Sequence, residues 1–424
     1  MTTRLPCKTE DCTGTILPTT AEKTGGYCRP CVRAEERRKR QDFIERNRRD
    51  VDRFSGVDDP VEIVRLIIDR PKHDPLIRYL PPPMTLPEAI TRAGHAGCER
   101  LSSLTLEWLA SGRDDQARDL ATALACLSDH DLTPIQERLV DTDDPGPGVL
   151  FRGASNDMAR RLVASVEAAT SLMRRGGALI ALAWTRGEPA FDAFRKWQER
   201  PPTWSNDLNV PTRTYAQEAG WTLLTDGEVR QLTFEACWAL VPQEEPTPFL
   251  RVMPNGSQSC EPCGRSLSPL LDLDTTAAEL TTLGLSAGRL VLPYCQVCSC
   301  FGLTLFRSSA DGRYSRLESD SRPEWLPDDH ENWSSPPAEA LGLGGRRGPL
   351  EAVEWGQDLV THSQLGGMPS WIQRSEYPDC PECRLPMCFI GQVSMDDVEE
   401  HGDGIYYACA CIECGLSSAS YQQT

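Results

Sequence analysis

The cysteines are the residues of this sequence whose type and spacing point most directly to chemistry. The chain has 424 residues and 18 cysteines. Twelve of these form short pairs that combine into three sets of four. Two pairs of thiolates are a common ligand set for a tetrahedral zinc ion. We therefore predict three structural zinc sites with these ligands: Cys7, Cys12, Cys28, Cys31, Cys260, Cys263, Cys295, Cys298, Cys380, Cys383, Cys411 and Cys414.

The first set is followed directly by a segment that predicts a helix, because neither Pro nor Gly interrupts Val32–Arg49. Eight basic and four acidic residues lie between Arg33 and Arg49. The interleaved acids favour a solvated helix with i,i+4 ion pairs such as Glu36–Arg40 and Glu45–Arg49. The alternative interpretation is a surface for nucleic acid or an acidic partner beside a zinc knuckle.

The second and third sets repeat one pattern. Each opens with a Cys-x-x-Cys pair, continues through an apolar segment and a strand-like run, and closes with a second pair. This repetition predicts an internal duplication in which a metal clamps each half. Pairing across the halves, for instance of Cys260 and Cys263 with Cys411 and Cys414, stays open at this stage. Three further thiols are interpreted as small residues within strands, as replacement ligands or as redox sensors: Cys300, Cys388 and Cys409.

The elements that must position these cysteines differ along the chain. Asp59-Pro60-Val61-Glu62 predicts a helix start, and apolar periodicity from about 86 to 200 predicts helix after helix. The last of these helices resemble a HEAT-type repeat, which implies a binding surface. A plain helical domain that packs on its neighbour is the alternative.

We therefore predict an α+β multidomain protein. Residues 1–58 form a four-cysteine zinc knuckle plus a basic helix, and residues 59–202 form a helical, HEAT-like domain. Residues 203–424 form a duplicated β-rich domain with two zinc-ribbon-like sites, whose halves lie at about 250–310 and 365–424.

Composition restricts the classes of function. The net charge is −18, which opposes general binding of nucleic acid. The sequence contains no run of 18 apolar residues, so it predicts no membrane span. The N-terminus lacks the apolar core of a signal peptide. We expect a cytoplasmic protein, whose reducing compartment favours metal binding over disulfides.

Several segments of the last third resemble the YwqG-like family of bacterial proteins. In that family a Gly-Gly-x-Pro-x-Trp-x-Gln element, here Gly366–Gln373, precedes a strand that ends in Gln, here within Phe389–Ser394. A Gly-rich turn and an aromatic strand follow, here Gly402–Tyr407. The resemblance covers about residues 250–424 and implies a duplicated β-rich α+β domain with no established reaction. Some members look like immunity proteins of bacterial toxin systems. The knuckle cysteines depart from the family's usual pattern.

No nucleophile–base constellation, phosphate-binding Gly loop or metalloprotease motif is present in the sequence. We therefore expect a non-catalytic, zinc-stabilised protein that binds a protein partner, with an immunity role against a basic toxin as the concrete form. Acidic loops and tryptophans of the last third suit a basic partner: Trp325, Trp333, Trp355 and Trp371. A nucleic-acid-associated protein acting through Cys7–Arg49 is one alternative. An enzyme with a site between the duplicated halves is the other, and Gly366–Gln373 is either a fold element or the lining of that cleft.

Overall fold

The computed structural model combines helices with a large antiparallel sheet, which confirms the α+β prediction. It describes residues 4–243, 247–285, 288–309, 311–317, 340–354, 359, 361–399 and 402–423. The chain divides into two compact units. The first contains Met1–Asp58 and Asp69–Pro83, and the second contains Asp59–Ile68 and Met84–Thr424. The division into three domains stays a prediction.

The first unit is small and has little secondary structure apart from two helices. Strands β1 and β2 pair antiparallel, while β3 and β4 pair parallel. No residue of α2 is buried. The elements are β1 (Leu5–Pro6), β2 (Thr15–Ile16), α1 (Pro18–Thr24), α2 (Arg29–Asn47), β3 (Arg49–Val51) and β4 (Ile77–Tyr79).

The second unit begins with eight described α-helices. The predicted start at Asp59 is confirmed, since its carboxylate accepts a hydrogen bond from the Val61 N–H at 3.1 Å. Thr85 and Glu88 form a capping box at the start of the longest helix. The helices are α3 (Pro60–Ile68), α4 (Leu86–Ala110), α5 (Asp114–Leu127), α6 (Thr133–Leu139), α7 (Asn156–Ala168), α8 (Leu172–Thr185), α9 (Glu188–Glu199) and α10 (Thr212–Glu218).

The strands of the second unit form two main sheets. Their bounds are β5 (Trp221–Leu223), β6 (Val229–Gln231), β7 (Cys237–Pro242), β8 (Leu250–Val252), β9 (Gln258–Ser259), β10 (Ser266–Asp274), β11 (Arg289–Cys295), β12 (Thr304–Ser308), β13 (Tyr314–Arg316), β14 (Leu341–Arg346), β15 (Gln364–Gly366), β16 (Cys388–Ser394), β17 (Ile405–Cys411) and β18 (Leu416–Gln422).

The larger sheet has eight strands in the order β13-β12-β18-β17-β16-β15-β7-β14. The smaller has the order β11-β10-β8, with β9 also paired to β10. The segment Arg230–Leu240 does not form one continuous strand. The structure instead ends β6 at Gln231 and starts β7 at Cys237, and the two strands belong to different sheets.

A continuous apolar core joins the two main sheets. It includes leucines of β10 and β11 together with Ile390, Val393 and Tyr406 of β16 and β17. Cys98, Cys126 and Cys237 are buried, as expected for core thiols. Within the described part of the chain, no helix is long and apolar enough to cross a membrane.

Candidate metal centres

The first cysteine set is assembled by the β1–β2 pair and the start of α2. The Cys7 N–H donates to the Gly14 carbonyl at 2.9 Å, and the Cys28 N–H donates to Cys7 Sγ at 3.2 Å. The Sγ atoms of Cys12 and Cys28 are 3.8 Å apart. The Cys28 N–H, followed by hydrogen bonds from Thr9, lowers the pKa of Cys7 to about 6. At Cys7 the backbone thus favours the thiolate that a metal requires.

The second set lies within the core of the two sheets, and its four cysteines are buried. The Sγ–Sγ distance is 3.7 Å between Cys260 and Cys298, and 3.4 Å between Cys263 and Cys295. Arg316 Nη1 donates to Cys260 Sγ at 3.3 Å. Neighbouring thiols, and after them Arg316, hold the pKa of Cys260 below its usual range. Arg316 was missed in the sequence because no local spacing links it to a cysteine in a distant knuckle.

The third set is more open to solvent. Cys383 is exposed and Cys414 is half-buried, whereas Cys380 and Cys411 are buried. The Sγ atoms of Cys383 and Cys411 are 3.6 Å apart. A hydrogen bond from the Leu385 backbone is the largest cause that lowers the pKa of Cys383.

All three sets fit a tetrahedral metal. Within each set the four Sγ atoms lie within 4.8 Å of one another. Tetrahedral zinc with Zn–S bonds of about 2.3 Å places its sulfur atoms about 3.8 Å apart, close to the distances above. Four thiolates complete such a coordination shell and leave no open position, which is typical of a structural site. The structure also decides the pairing, since each C-terminal set combines cysteines from one half.

The three additional thiols lie outside these sets. Cys300 Sγ donates to the Gln296 carbonyl at 2.9 Å and lies 3.4 Å from the Tyr406 hydroxyl. Cys388 is in β16, and Cys409 is buried in β17. Two of the three are therefore residues within strands, as one of the interpretations expected.

The second and third sets frame two β-hairpins of closely similar geometry. In each opening pair, the N–H of the residue after the second cysteine donates to the carbonyl of the first cysteine, at 2.7 Å from Gly264 and 2.9 Å from Arg384. Both donors have a positive φ, 72° at Gly264 and 62° at Arg384. The two knuckles therefore share one backbone turn despite their different residues.

The hairpins also share their register. The β10–β11 pairing shifts between Pro269 and Leu271, and the β16–β17 pairing shifts between Phe389 and Gly391. In both copies the shift falls at the same offset from the opening cysteine pair. A bulge at equal positions bends both strands in the same way.

The Gly366–Gln373 segment is tied into the fold at several points. Gly366 has a φ of 72°, and a Cβ atom there would lie 2.1 Å from the Ala236 carbonyl oxygen. The Trp371 ring contacts those of Tyr377 and Tyr407. The Gln373 N–H donates to Gln422 Oε1 at 3.0 Å. These contacts are those of a turn, a packed aromatic and a backbone tie.

A partly buried polar network around Asp397 was not apparent from the sequence. One carboxylate oxygen of Asp397 accepts hydrogen bonds from the backbone N–H groups of His362 and Ser363, at 3.0 and 2.8 Å. It also accepts from the hydroxyls of Thr361 and Ser363. In the sequence, Asp397 belongs to a short acidic segment without a recognisable motif. Only its hydrogen-bond partners in the structure identify it as the central acceptor of this network.

A cavity of about 400 Å³ lies where residues of both halves meet α10. Ser299 and Leu303 come from the segment after the second set, while Tyr377 and Ser420 come from the other half. Its side-chain donors and acceptors include hydroxyls, the Gln217 amide and the Glu376 carboxylate. Glu218 and Glu354 are half-buried carboxyls of this unit, and Glu218 accepts a hydrogen bond at 2.9 Å from the N–H of Ser375, which lines the cavity. Burial, and after it Glu218, raises the pKa of Glu354 to about 7.

The ion pairs expected along α2 do not form. Neither Glu36–Arg40 nor Glu45–Arg49 is within ion-pair distance in the described structure. Glu35 instead pairs with Arg38 at 2.8 Å and with Lys39 at 3.5 Å. Three of the four tryptophans expected to form an acidic aromatic surface, Trp325, Trp333 and Trp355, lie outside the described residues. Trp371 packs internally.

Comparison with known proteins gives a family but no activity. The chain is 34% identical over 433 aligned residues to the "Uncharacterized protein YpfL" of Salmonella typhimurium, and the match covers 100% of both chains. The chain belongs to the family of YpfL. No family model matches it, and no solved structure matches it. The YwqG-like resemblance therefore stays a prediction beside the YpfL relationship.

Proposed function

We propose that this protein is a non-catalytic, zinc-stabilised cytoplasmic protein that binds a partner macromolecule. The observation that carries the zinc assignment is the convergence of four thiols in each of three sets, at the sulfur separations of a tetrahedral site. Zinc in a closed tetrathiolate site contributes folding free energy. The sets would hold the β1–β2 turn and the two hairpins in their folded arrangement.

An internal duplication of the YwqG-like kind is part of the same proposal. The equal knuckle turns and the equal bulge positions of the two hairpins support it. The helices α3 to α10 are proposed as a HEAT-like surface for the partner. If the partner is a protein, we propose that this chain is an immunity protein and that the partner is a basic toxin. The net charge of −18 supports this form of the proposal.

Metal analysis of the purified chain tests the zinc assignment. We expect three zinc ions per chain, and cobalt-substituted protein should show the absorption of tetrahedral cobalt thiolates. Serine at Cys31, Cys263 or Cys383 should each remove one equivalent. Iron in place of zinc, or a content of one metal or none, would contradict the proposal.

Affinity capture from the native host tests the partner. We expect one protein or nucleic acid to co-purify stoichiometrically with zinc-loaded chain. A secreted toxin-like product encoded beside this gene would support the immunity form. Recovery of no macromolecule from cells at several growth stages would count against a binding role.

The cavity between the halves favours a second candidate function, an enzyme or a small-molecule receptor. Its hydroxyl and amide lining suits a small polar ligand. Ligand-observed NMR with a metabolite library tests this candidate, with Tyr377→Phe and Ser420→Ala as variants of the lining. Binding that both variants weaken would favour this candidate over the scaffold role.

A further inference from the structure

One face of α2 carries arginines that nothing in the described structure neutralises. Arg29, Arg33, Arg37 and Arg40 are exposed. In the described part of the chain, these four side chains form neither an ion pair nor a hydrogen bond. An α-helix advances about 100° and 1.5 Å per residue. The four arginines therefore fall within an arc of about 80°, with successive rises of roughly 4.5–6 Å.

The acidic residues of α2 lie mostly on the other side of the helix. Glu35, Asp42 and Glu45 project about 120–180° from the middle of the arginine arc, whereas Glu36 lies at its edge, about 20° from Arg29. Arg38 and Lys39, which lie outside the arginine arc, pair with Glu35. Helical geometry thus separates three of the four acids from the arginine face and leaves Glu36 at the edge of that face.

The first unit has a net charge of opposite sign to that of the rest of the chain. Met1–Asp58 and Asp69–Pro83 contain 16 basic and 12 acidic side chains, while the remaining residues carry a net charge of −22. The strongly negative net charge therefore belongs entirely to the second unit, and it does not argue against a polyanion at the first.

Two exposed aromatic side chains lie close in sequence to the two ends of the arginine row. Phe43, on α2, is 55% exposed, and Tyr27, just before α2, is 43% exposed. Exposed aromatics beside a row of arginines are the combination that binds bases by stacking and phosphates by charge. Since α2 buries no residue, its faces are not needed for the core.

We propose that the arginine face of α2 binds the phosphate backbone of a nucleic acid. This inference rests on the proposed function as a macromolecule-binding protein and specifies the class of partner. A regular row of guanidinium groups suits a regular row of phosphates, because each guanidinium can donate two parallel hydrogen bonds to one phosphate. Binding through such contacts is insensitive to sequence and sensitive to salt.

The salt dependence of binding gives a quantitative test. With four phosphate contacts to duplex DNA, affinity should fall about 150-fold between roughly 50 and 200 mM salt. The double variant Arg33→Gln/Arg37→Gln retains two contacts, so its affinity should fall only about 12-fold over the same range. Fluorescence anisotropy of full-length, zinc-loaded protein with a labelled random-sequence duplex measures both, and a single-stranded RNA of equal length provides a second probe.

The matched control is Arg38→Gln/Lys39→Gln. It removes the same charge from the same helix, but from the paired face, so its salt dependence should equal that of the wild type. Circular dichroism and zinc content establish that both variants fold. Equal effects of the two double variants, or no salt-dependent binding of either probe, would overturn the proposal. Retention on polyglutamate but not on nucleic acid would also overturn it and indicate an acidic protein. None of these three results affects the metal content or the partner capture that test the proposed function.

Discussion

Gly366, the first residue of the Gly366–Gln373 segment, is constrained by backbone that is distant in the sequence. Its φ of 72° favours glycine, and an added Cβ would meet the Ala236 carbonyl oxygen at 2.1 Å and the Leu283 side chain at 2.8 Å. The adjacent strands cannot move apart without breaking the β15–β7 pairing. The glycine is therefore required by close approach as well as by backbone conformation.

We expect Gly366→Ala to destabilise the protein by about 3 kcal/mol or more, since steric overlap adds to the left-handed penalty of about 1–2 kcal/mol. Gly284→Ala is the matched control. Its φ is 64° and nothing lies within 4 Å of the added Cβ, so only the backbone penalty applies. Urea unfolding of the two variants measures the difference, and equal losses would show that the close approach has no cost.

The carboxyl of Glu354 makes stability depend on pH. Burial, and after it the charge of Glu218, raises its pKa to about 7 in the folded protein. Ionisation therefore costs stability as the pH rises from the ordinary carboxyl range through 7, and the full cost is present above pH 7.

Glu354→Gln should remove this cost. We expect it to stabilise the protein by about 1–3 kcal/mol at pH 8 and by much less at pH 5. Glu382→Gln provides a contrast of opposite sign, because Arg307 holds the pKa of that exposed carboxyl below its usual range. Denaturant midpoints at the two pH values measure both effects. A Glu354→Gln gain that is independent of pH would contradict the assignment.

At the scale of elements, the two hairpins have the same register but different surroundings. The cysteines of the β10–β11 hairpin lie in the core shared by the sheets, while the set of the β16–β17 hairpin includes the exposed Cys383. Both hairpins have mostly buried strands, so the unequal protection from solvent arises in the cysteine knuckles, where Cys383 is exposed.

We expect a chelator to remove metal from the buried second set last. Release should be biphasic, because access to the second set requires opening of the core. Cys263→Ser should abolish the slow phase and Cys383→Ser should preserve it. A metal-sensitive dye follows the release. Loss of the slow phase in Cys383→Ser protein instead would reverse the order that burial predicts.

At the scale of the whole molecule, the chain path crosses between the two units. Residues 59–68 form α3 within the second unit, and the chain then returns to the first unit for residues 69–83. Val61, Ile63, Val64 and Ile67 of α3 are buried, and α3 packs against α4 and α5. A cut after α3 therefore removes part of the second unit's core.

A fragment of residues 59–424 should consequently be more stable than a fragment of residues 84–424. Burial of four aliphatic side chains corresponds to about 6 kcal/mol or more. Soluble yield and thermal midpoint of the two fragments test this expectation. Equal stability would mean that α3 contributes nothing to the helical core.

The sequence by itself determined the local features of this protein. The grouping of twelve cysteines into three sets was predicted because zinc knuckles are short, and the start of α3 was predicted because capping depends on adjacent residues. The burial of Cys98 and Cys126 followed from the apolar helix faces on which they lie, and that of Cys237 from its lack of a Cys-x-x-Cys partner. The repeated order of knuckle, apolar segment, strand and knuckle was recognised in the sequence because each repeat spans only about 40 residues.

Only the tertiary structure decided the features that join distant segments. Pairing of each C-terminal set within its own half, the Arg316 contact with Cys260 and the Asp397 network all depend on which strands become neighbours. Strand order is selected by burial of side chains across the whole unit, so no window of sequence contains it.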